Sequence, residues 1–424
     1  MRRLWNAPVF VVLAAAALTS PAVGGTPSAD EVQTQLLKLQ QGNQGERTSA
    51  AIDLARFYEA LPVASPDREK IVQALVRALP DSVDGVVSVG TPATTSLLGV
   101  LRDGDQKRAA ATALGHVFRV MYNPTYSIPG FITPVAKRIS SQKPLQQAVH
   151  GLIDAYRTGD VELKTSVTEA LGQIGPDAID ALPVLIDATK SLAAGATEPK
   201  DASLLYETLR SLWTWSTPYY LTGQIDSDPR RQAELDKEEL RYEGESIRIR
   251  QSLADLVPTL LAMLQRADID SGRFGAGYSL RVPAGLLLTN LHSKEFAKGL
   301  ATEFASAQPD DFHWIRSSQE LEAMGGDALD PLVELVTSSS ADTTHRAGAI
   351  RIIGRVVKLL KDQAKWDATA YARFKRDHPA AAAARQALKL PAKTKAIDAV
   401  RAAAKEQDFR IREAAGEALK VAGE

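Results

Sequence analysis

Residues 160–188 read DVELKTSVTEALGQIGPDAIDALPVLIDA. Val167, Leu171 and Ile174 recur at three- and four-residue spacing, which places them on one face of an α-helix. Asp160 stands where that helix begins and is suited to cap its free backbone N–H groups. Pro176 falls just beyond the run, where a helix boundary belongs. The stretch therefore holds a short pattern: Asp, a basic residue four on, a large aliphatic seven after that, then Gly.

The pattern returns along the chain. It occurs as Asp103-Lys107-Leu114-Gly115, Asp160-Lys164-Leu171-Gly172 and Asp342-Arg346-Ile353-Gly354. A copy without the Gly is Asp408-Arg412-Leu419, and a weaker one is Asn43-Arg47-Leu54. A small or β-branched residue lies four before the aliphatic in each strong copy: Ala110, Val167, Ala349, Ala415. These pairs share a helix face and form a buried stripe, its small member admitting a neighbouring helix. A second apolar helix precedes three of the copies, at Ala93–Leu101, Leu145–Tyr156 and Ala328–Val336. The unit is helix, tight turn, helix. One such unit cannot bury its apolar face, and stacking solves that. Strand patterns are nearly absent; Val83–Val89 is the one short candidate.

Asp160–Ala188, Gly326–Gly354 and Ala396–Gly423 resemble HEAT repeats of the bacterial, lyase-like type. The resemblance implies an all-α, HEAT-like α–α superhelix, a right-handed solenoid whose second helices line the concave surface. It leaves function open, because HEAT arrays serve as scaffolds, receptors and enzyme domains. The spans from Asp103 to Asp160 and from Asp342 to Asp408 exceed one hairpin, so insertions or degenerate repeats fill them.

Composition narrows the classes. The chain has 424 residues, no Cys, 50 Lys+Arg against 51 Asp+Glu, and a net charge of −1. Without Cys there are no disulfides, thiolate metal sites or cysteine nucleophiles. The charge balance argues against nucleic acid as a partner. Aromatics are 6% of the chain, so its core is aliphatic and Ala-rich. At the N-terminus, MRRLWNAPVFVVLAAAALTSPAVGG has the form of an export signal: Arg2 and Arg3, an apolar run from Ala7 to Leu18, then Ala22-Val23-Gly24 as a small-x-small cleavage site. The run is too short to span a bilayer as a helix, and no later run is long enough, so no membrane span is expected after cleavage. An uncleaved anchor is the alternative. The expected organisation is a signal peptide at 1–24, a repeat array at 25–215, a charged helical connector at 216–250 and a second array at 251–424. Asp226–Arg250, with eight acidic and six basic residues, reads as a solvated helix or a pairing helix. Ile269–Ser279, with three Gly, reads as a loop.

Catalytic motifs are lacking. No two of the six His have metal-clamping helical spacing, and no His-Glu-x-x-His occurs. Ser140 and Lys143 form a Ser-x-x-Lys without its usual companion motifs. Asp310, after Pro309, reads as a helix cap. No catalytic residue, metal or cofactor is assigned. Two patches suit a protein or peptide partner. Trp213, Trp215, Tyr219 and Tyr220 fall within eight residues. Trp213 shares a face with Tyr206 and Leu209 and is assigned to the core, whereas Trp215, Tyr219 and Tyr220 are assigned to the partner surface. Arg351, Arg355 and Lys358 align at i, i+4 and i+7 on a second helix, a stripe for an anion or acidic peptide. Ordinary packing and a solvated basic face are the alternatives. The resulting reading is an exported, periplasmic or secreted, non-enzymatic interaction scaffold; the rival is an envelope enzyme or lyase-like protein with dispersed catalytic residues in the concave groove. Terminal sequencing of the exported protein should find a chain starting near Gly25; an intact Met1 would contradict the export signal.

Overall fold

A computed structural model describes residues 26–118, 142–195, 198–216, 245, 247–266, 279–309, 311–377 and 390–424. The expected signal segment, Ser140, Tyr219, Tyr220, Asp310 and all of 226–244 and 269–278 lie outside them. Two compact units divide the chain, Met1–Leu97 and Leu98–Glu424. Among the described residues there is no strand.

The first unit holds α1 (Ala29–Gln41), α2 (Gln44–Ala60), α3 (Pro66–Arg77) and α4 (Val83–Val89). These form two hairpins; α3 packs on α1 and α4 on α2. The short β-branched run expected as a strand is therefore the helix α4. Its buried residues Gly85, Val86 and Val89 follow helical spacing, and Gly85 lies so close to α2 that a Cβ would stand 2.7 Å from the Ala51 carbonyl oxygen. Tertiary contact outweighs the weak helix propensity of valine.

The unit division falls within α5 (Thr94–Asp103). The second unit continues with α6 (Lys107–Val117), α7 (Gln142–Thr158), α8 (Val161–Ile174), α9 (Leu182–Gly195), α10 (Pro199–Ser216), α11 (Val257–Leu264), α12 (Arg281–Asn290), α13 (Lys294–Ser306), α14 (Phe312–Met324), α15 (Leu329–Thr337), α16 (Thr343–Asp377), α17 (Leu390–Ala403) and α18 (Phe409–Ala422). From α7 on, each odd helix packs on the even helix after it. Each even helix from α6 to α16 packs on the next even helix, and α9 on α11, α13 on α15 and α15 on α17 extend the odd layer. The result is a two-layered, HEAT-like stack of helical hairpins.

Each member of the repeated pattern has a separate physical task. Asp160 accepts from the Leu163 N–H, Asp342 from Thr344 and His345, and Asp408 from Arg410 and Ile411. Asn43 caps α2 in a reciprocal capping box with Glu46. Asp103 departs from the expectation. It is the last residue of α5, and α6 starts after Gln106 with no side-chain cap. There the chain turns at Gly104, whose N–H closes α5 on the Val100 carbonyl at 2.8 Å.

The basic residue folds back onto the turn. Arg346 donates to the Val336 carbonyl at 2.8 Å and pairs with Glu406 at 2.5 Å. Arg47 donates to the Gly42 carbonyl and pairs with Asp81. Arg412 donates to the Glu406 and Gln407 carbonyls, and Lys164 lies over the Tyr156 ring. The large aliphatics Leu54, Leu114, Leu171 and Ile353 are buried.

The glycine is where successive even helices meet. A Cβ at Gly115 would stand 2.6 Å from Ala170 Cα, and one at Gly354 would stand 2.7 Å from Ala418 Cα. One at Gly172 would meet the Ser211 hydroxyl. In the last copy this place belongs to Lys420, which is exposed.

The expected boundary at 216–250 lies inside the second unit. Helices on either side of it join directly, because Asn290 donates to the Trp213 carbonyl and the Ser216 hydroxyl, and Arg250 donates to the Ser216 carbonyl. The end of α10 is thereby capped by Arg250, the last residue of the charged segment, and by Asn290 from beyond it.

Gly354→Ala should destabilise by about 1–3 kcal/mol through overpacking. Gly416→Ala, where a Cβ meets nothing within 4 Å, should stabilise by up to about 1 kcal/mol. Leu171→Ala should cost about 2–5 kcal/mol. Chemical denaturation of the three variants measures all of these.

Candidate functional site

The outer face of the even layer changes character along the second unit. On α8 and α10 it is polar and internally paired. Lys200 bridges to Glu162, and Arg210 to Glu207 and Glu169. Burial pushes the Glu207 carboxyl up despite the Arg210 guanidinium beside it.

From α12 onward large apolar side chains emerge. Among the described residues, six of the nine exposed large hydrophobics lie on even helices here: Val282, Phe312, Ile315, Leu359, Phe409 and Val421. Phe312 is 70% exposed and Ile315 44%, one turn apart on α14.

A network of charged groups holds this part of the layer. Arg281 on α12 is nine-tenths buried and donates to Glu303 on α13 at 2.8 Å. Glu303 also receives Arg316 and lies 3.3 Å from His313 Nδ1, both on α14. Glu320 lies 3.7 Å from Arg281. The Arg316 guanidinium sits 5.4 Å from the Phe312 ring centroid, a cation–π distance. Two arginines face two glutamates, so the cluster is balanced in charge and joins three helices.

The start of α14 is held by neighbouring contacts. Asp311, next to the expected cap Asp310, accepts from the Trp314 N–H at 2.7 Å. The Trp314 ring lies 5.0 Å from that of Phe304, and Gly348 leaves room for both rings. His345 meets the Asp342 carboxylate through Nδ1 and the Ala307 carbonyl through Nε2.

The stripe on α16 is present as expected in sequence, and its charges are engaged by neighbours. Between Thr343 and Lys361 this helix carries Arg346, Arg351, Arg355, Lys358 and Lys361 and no acidic residue. Arg351 donates through Nε to Glu417 on α18 at 2.8 Å, and Arg355 donates to Glu322 on α14 at 2.6 Å. Lys361 pairs with Glu424 and donates to the Ala422 carbonyl. Lys358 is exposed and makes no ion pair among the described residues.

In the aromatic patch the two tryptophans are corrected, and Tyr219 and Tyr220 lie outside the described residues. Trp215 is fully buried, and Trp213, assigned to the core from its spacing, is half-buried. The α10 core comprises Leu205, Leu209, Leu212 and Trp215, so the buried face runs through 212 and 215 rather than 213. Trp215 belongs to the packing and has no surface to offer a partner. Sequence reasoning missed Phe312 and Ile315. The buried face of α14 includes Ser317 and Ser318, and small polar residues at inward positions hide its register.

Among the described residues, no group of three or more His, Asp or Glu side chains is arranged to hold a metal ion, and no helix is long and apolar enough to cross a membrane. No protein-family model matches the chain, and no curated protein matches it. Similar solved structures include human deoxyhypusine hydroxylase in complex with glycerol, at 13% identity, covering 90% of this chain and 97% of that one with a TM-score of 0.23. A structure of Kap95p binding RanGDP is 11% identical, covers 96% of this chain and 52% of that one, and has a TM-score of 0.39. SYS-1 is 12% identical, with 93% and 67% coverage and a TM-score of 0.38.

The His345 backbone N–H, with its ring and the Thr344 N–H, holds the Asp342 carboxyl below the usual aspartate range. A lowered folded-state value contributes stability that is present above the unfolded value and lost as pH falls through the folded one. Asp342→Asn should therefore flatten the fall in stability below about pH 4, measured by denaturation across the acid range.

Proposed function

We propose that this chain is an exported, HEAT-type interaction protein that acts without catalysis and binds a protein partner on the even-layer face from α12 to α16. The concentration of exposed Val282, Phe312, Ile315 and Leu359 on adjacent second helices carries this reading. Large apolar side chains rimmed by charge mark interaction surfaces on soluble proteins. Phe312 is held in place from below by Arg316 and the Glu303–Arg281 network, and a side chain ordered before binding loses less entropy on binding. Arg351, Arg355 and Lys358 belong to the same face, and Tyr219 and Tyr220 remain further candidates on the chain after α10. The twin arginines, the apolar run and Ala22-Val23-Gly24 support export, and a periplasmic or secreted address follows from it.

Affinity capture of the mature protein from its native envelope tests the face. Phe312→Ser combined with Ile315→Ser should weaken capture of the co-purifying partner by at least about fivefold, a loss of roughly 1 kcal/mol, with the melting temperature nearly unchanged. Equal capture by a folded double variant would place the interaction elsewhere.

A further inference from the structure

The cations of α16 identify a class of partner for that face. Nineteen residues of one helix, 343–361, hold five Lys and Arg and no Asp or Glu, in a chain whose net charge is −1. Glutamates from neighbouring segments answer four of the five: Glu406, Glu417, Glu322 and Glu424. Two of these pairs differ from the rest. Arg346 and Lys361 are largely covered and also bind backbone carbonyls, so they serve the fold. The Arg351 and Arg355 side chains are 43% and 45% exposed and face outward. Arg351 reaches Glu417 through Nε, and a guanidinium has five N–H donors, so its outer edge can take a second carboxylate. Exposed ion pairs contribute little in water, so exchanging an internal glutamate for an external one is nearly free. Lys358 follows on the same stripe, and Leu359 beside it is 52% exposed.

We propose that the even-layer face binds an acidic protein segment with an apolar anchor, its carboxylates on Arg351, Arg355 and Lys358 and its anchor on Leu359. This inference rests on the reading of that face as a protein-binding surface. From Arg351 to Lys358 the stripe runs about 10 Å along the helix. Two turns of an acidic helix, or three residues of an extended one, span that length. Glu322 and Glu417 then act as internal stand-ins that the partner's carboxylates join or replace.

The full mature chain can be titrated with a fluorescent glutamate peptide carrying leucine at every fourth position, read by anisotropy. Binding should weaken steeply with added salt. Arg351→Glu with Lys358→Glu should weaken it about tenfold or more, and Lys358→Gln alone, at an exposed side chain with no ion pair among the described residues, about threefold. Glu417→Gln, which releases Arg351, should tighten it. A glutamine-for-glutamate peptide should bind at least about tenfold more weakly. The proposal is overturned if the wild-type chain does not bind the acidic peptide, if the neutral peptide binds as well, if Lys358→Gln and a folded double variant bind like wild type, or if a single-stranded oligonucleotide of equal charge binds more tightly. Loss of native-partner capture in the Phe312 and Ile315 variant, without acidic-peptide binding, would leave the face standing and remove the acidic class; intact capture in that variant would remove the face itself.

Discussion

The second unit depends on how closely its even helices approach one another. At Gly115 and Gly354 the next helix presents an alanine whose Cα occupies the space a side chain would need, and at Gly172 it presents a serine. Glycine within a helix costs roughly 1 kcal/mol relative to alanine. It is kept where it brings two helices together and lets the buried aliphatics beside it, Leu114, Leu171 and Ile353, close over the hairpin. The cap and the basic residue then fix where each helix starts and how its turn is held. The pattern Asp, Arg or Lys, aliphatic, Gly is thus a set of instructions for joining one hairpin to the next.

The same constraint creates the candidate site. A layer of helices packed side by side through small residues leaves its larger outward residues on a shared surface. On α8 and α10 that surface is spent on internal ion pairs. On α12, α14 and α16 it carries the exposed Val282, Phe312, Ile315 and Leu359, and α16 adds the half-exposed Arg351 and Arg355. The network of buried Arg281 with half-buried Glu303, Arg316 and Glu320 falls in this same region. Removing one member of such a network leaves its partner's charge uncompensated, a cost that favours keeping the arrangement intact. Rigid support under an exposed aromatic is what a binding surface requires.

Much of the fold was legible because the repeated pattern is periodic and each of its members is chemically distinct. Asp160, Asp342, Asp408 and Asn43 cap the helices on which they were placed. Asp103 misled because α5 runs on through it to the turn at Gly104 and α6 starts only after Gln106, which spacing alone does not reveal. Val83–Val89 misled because valine favours strands, whereas its packing on α2 and α3, closest at Gly85, holds it as a helix. The site was half legible. The α16 stripe follows from the helical spacing of its cations, and its partners Glu322 and Glu417 lie far away in sequence. Trp215 and Trp213 exchanged places because one helical position decides which is inward, and both neighbouring faces of α10 carry apolar residues. Phe312 and Ile315 escaped notice because Ser317 and Ser318 occupy inward positions that apolar spacing does not mark.

A size-swap cycle at the α16–α18 contact tests this account most directly. Gly354→Ala and Ala418→Gly are measured singly and together by chemical denaturation. Combined, they restore the volume at the contact and leave the count of glycines in helices unchanged. The account predicts that the double variant recovers the part of the Gly354→Ala loss that comes from the Ala418 Cβ at 2.8 Å, with a coupling of about 0.5 kcal/mol or more, while the Ala418 Cα at 2.7 Å and carbonyl oxygen at 2.9 Å keep the rest of the loss in place. Losses that simply add would contradict it, because they would mean that the two helices do not meet at this glycine.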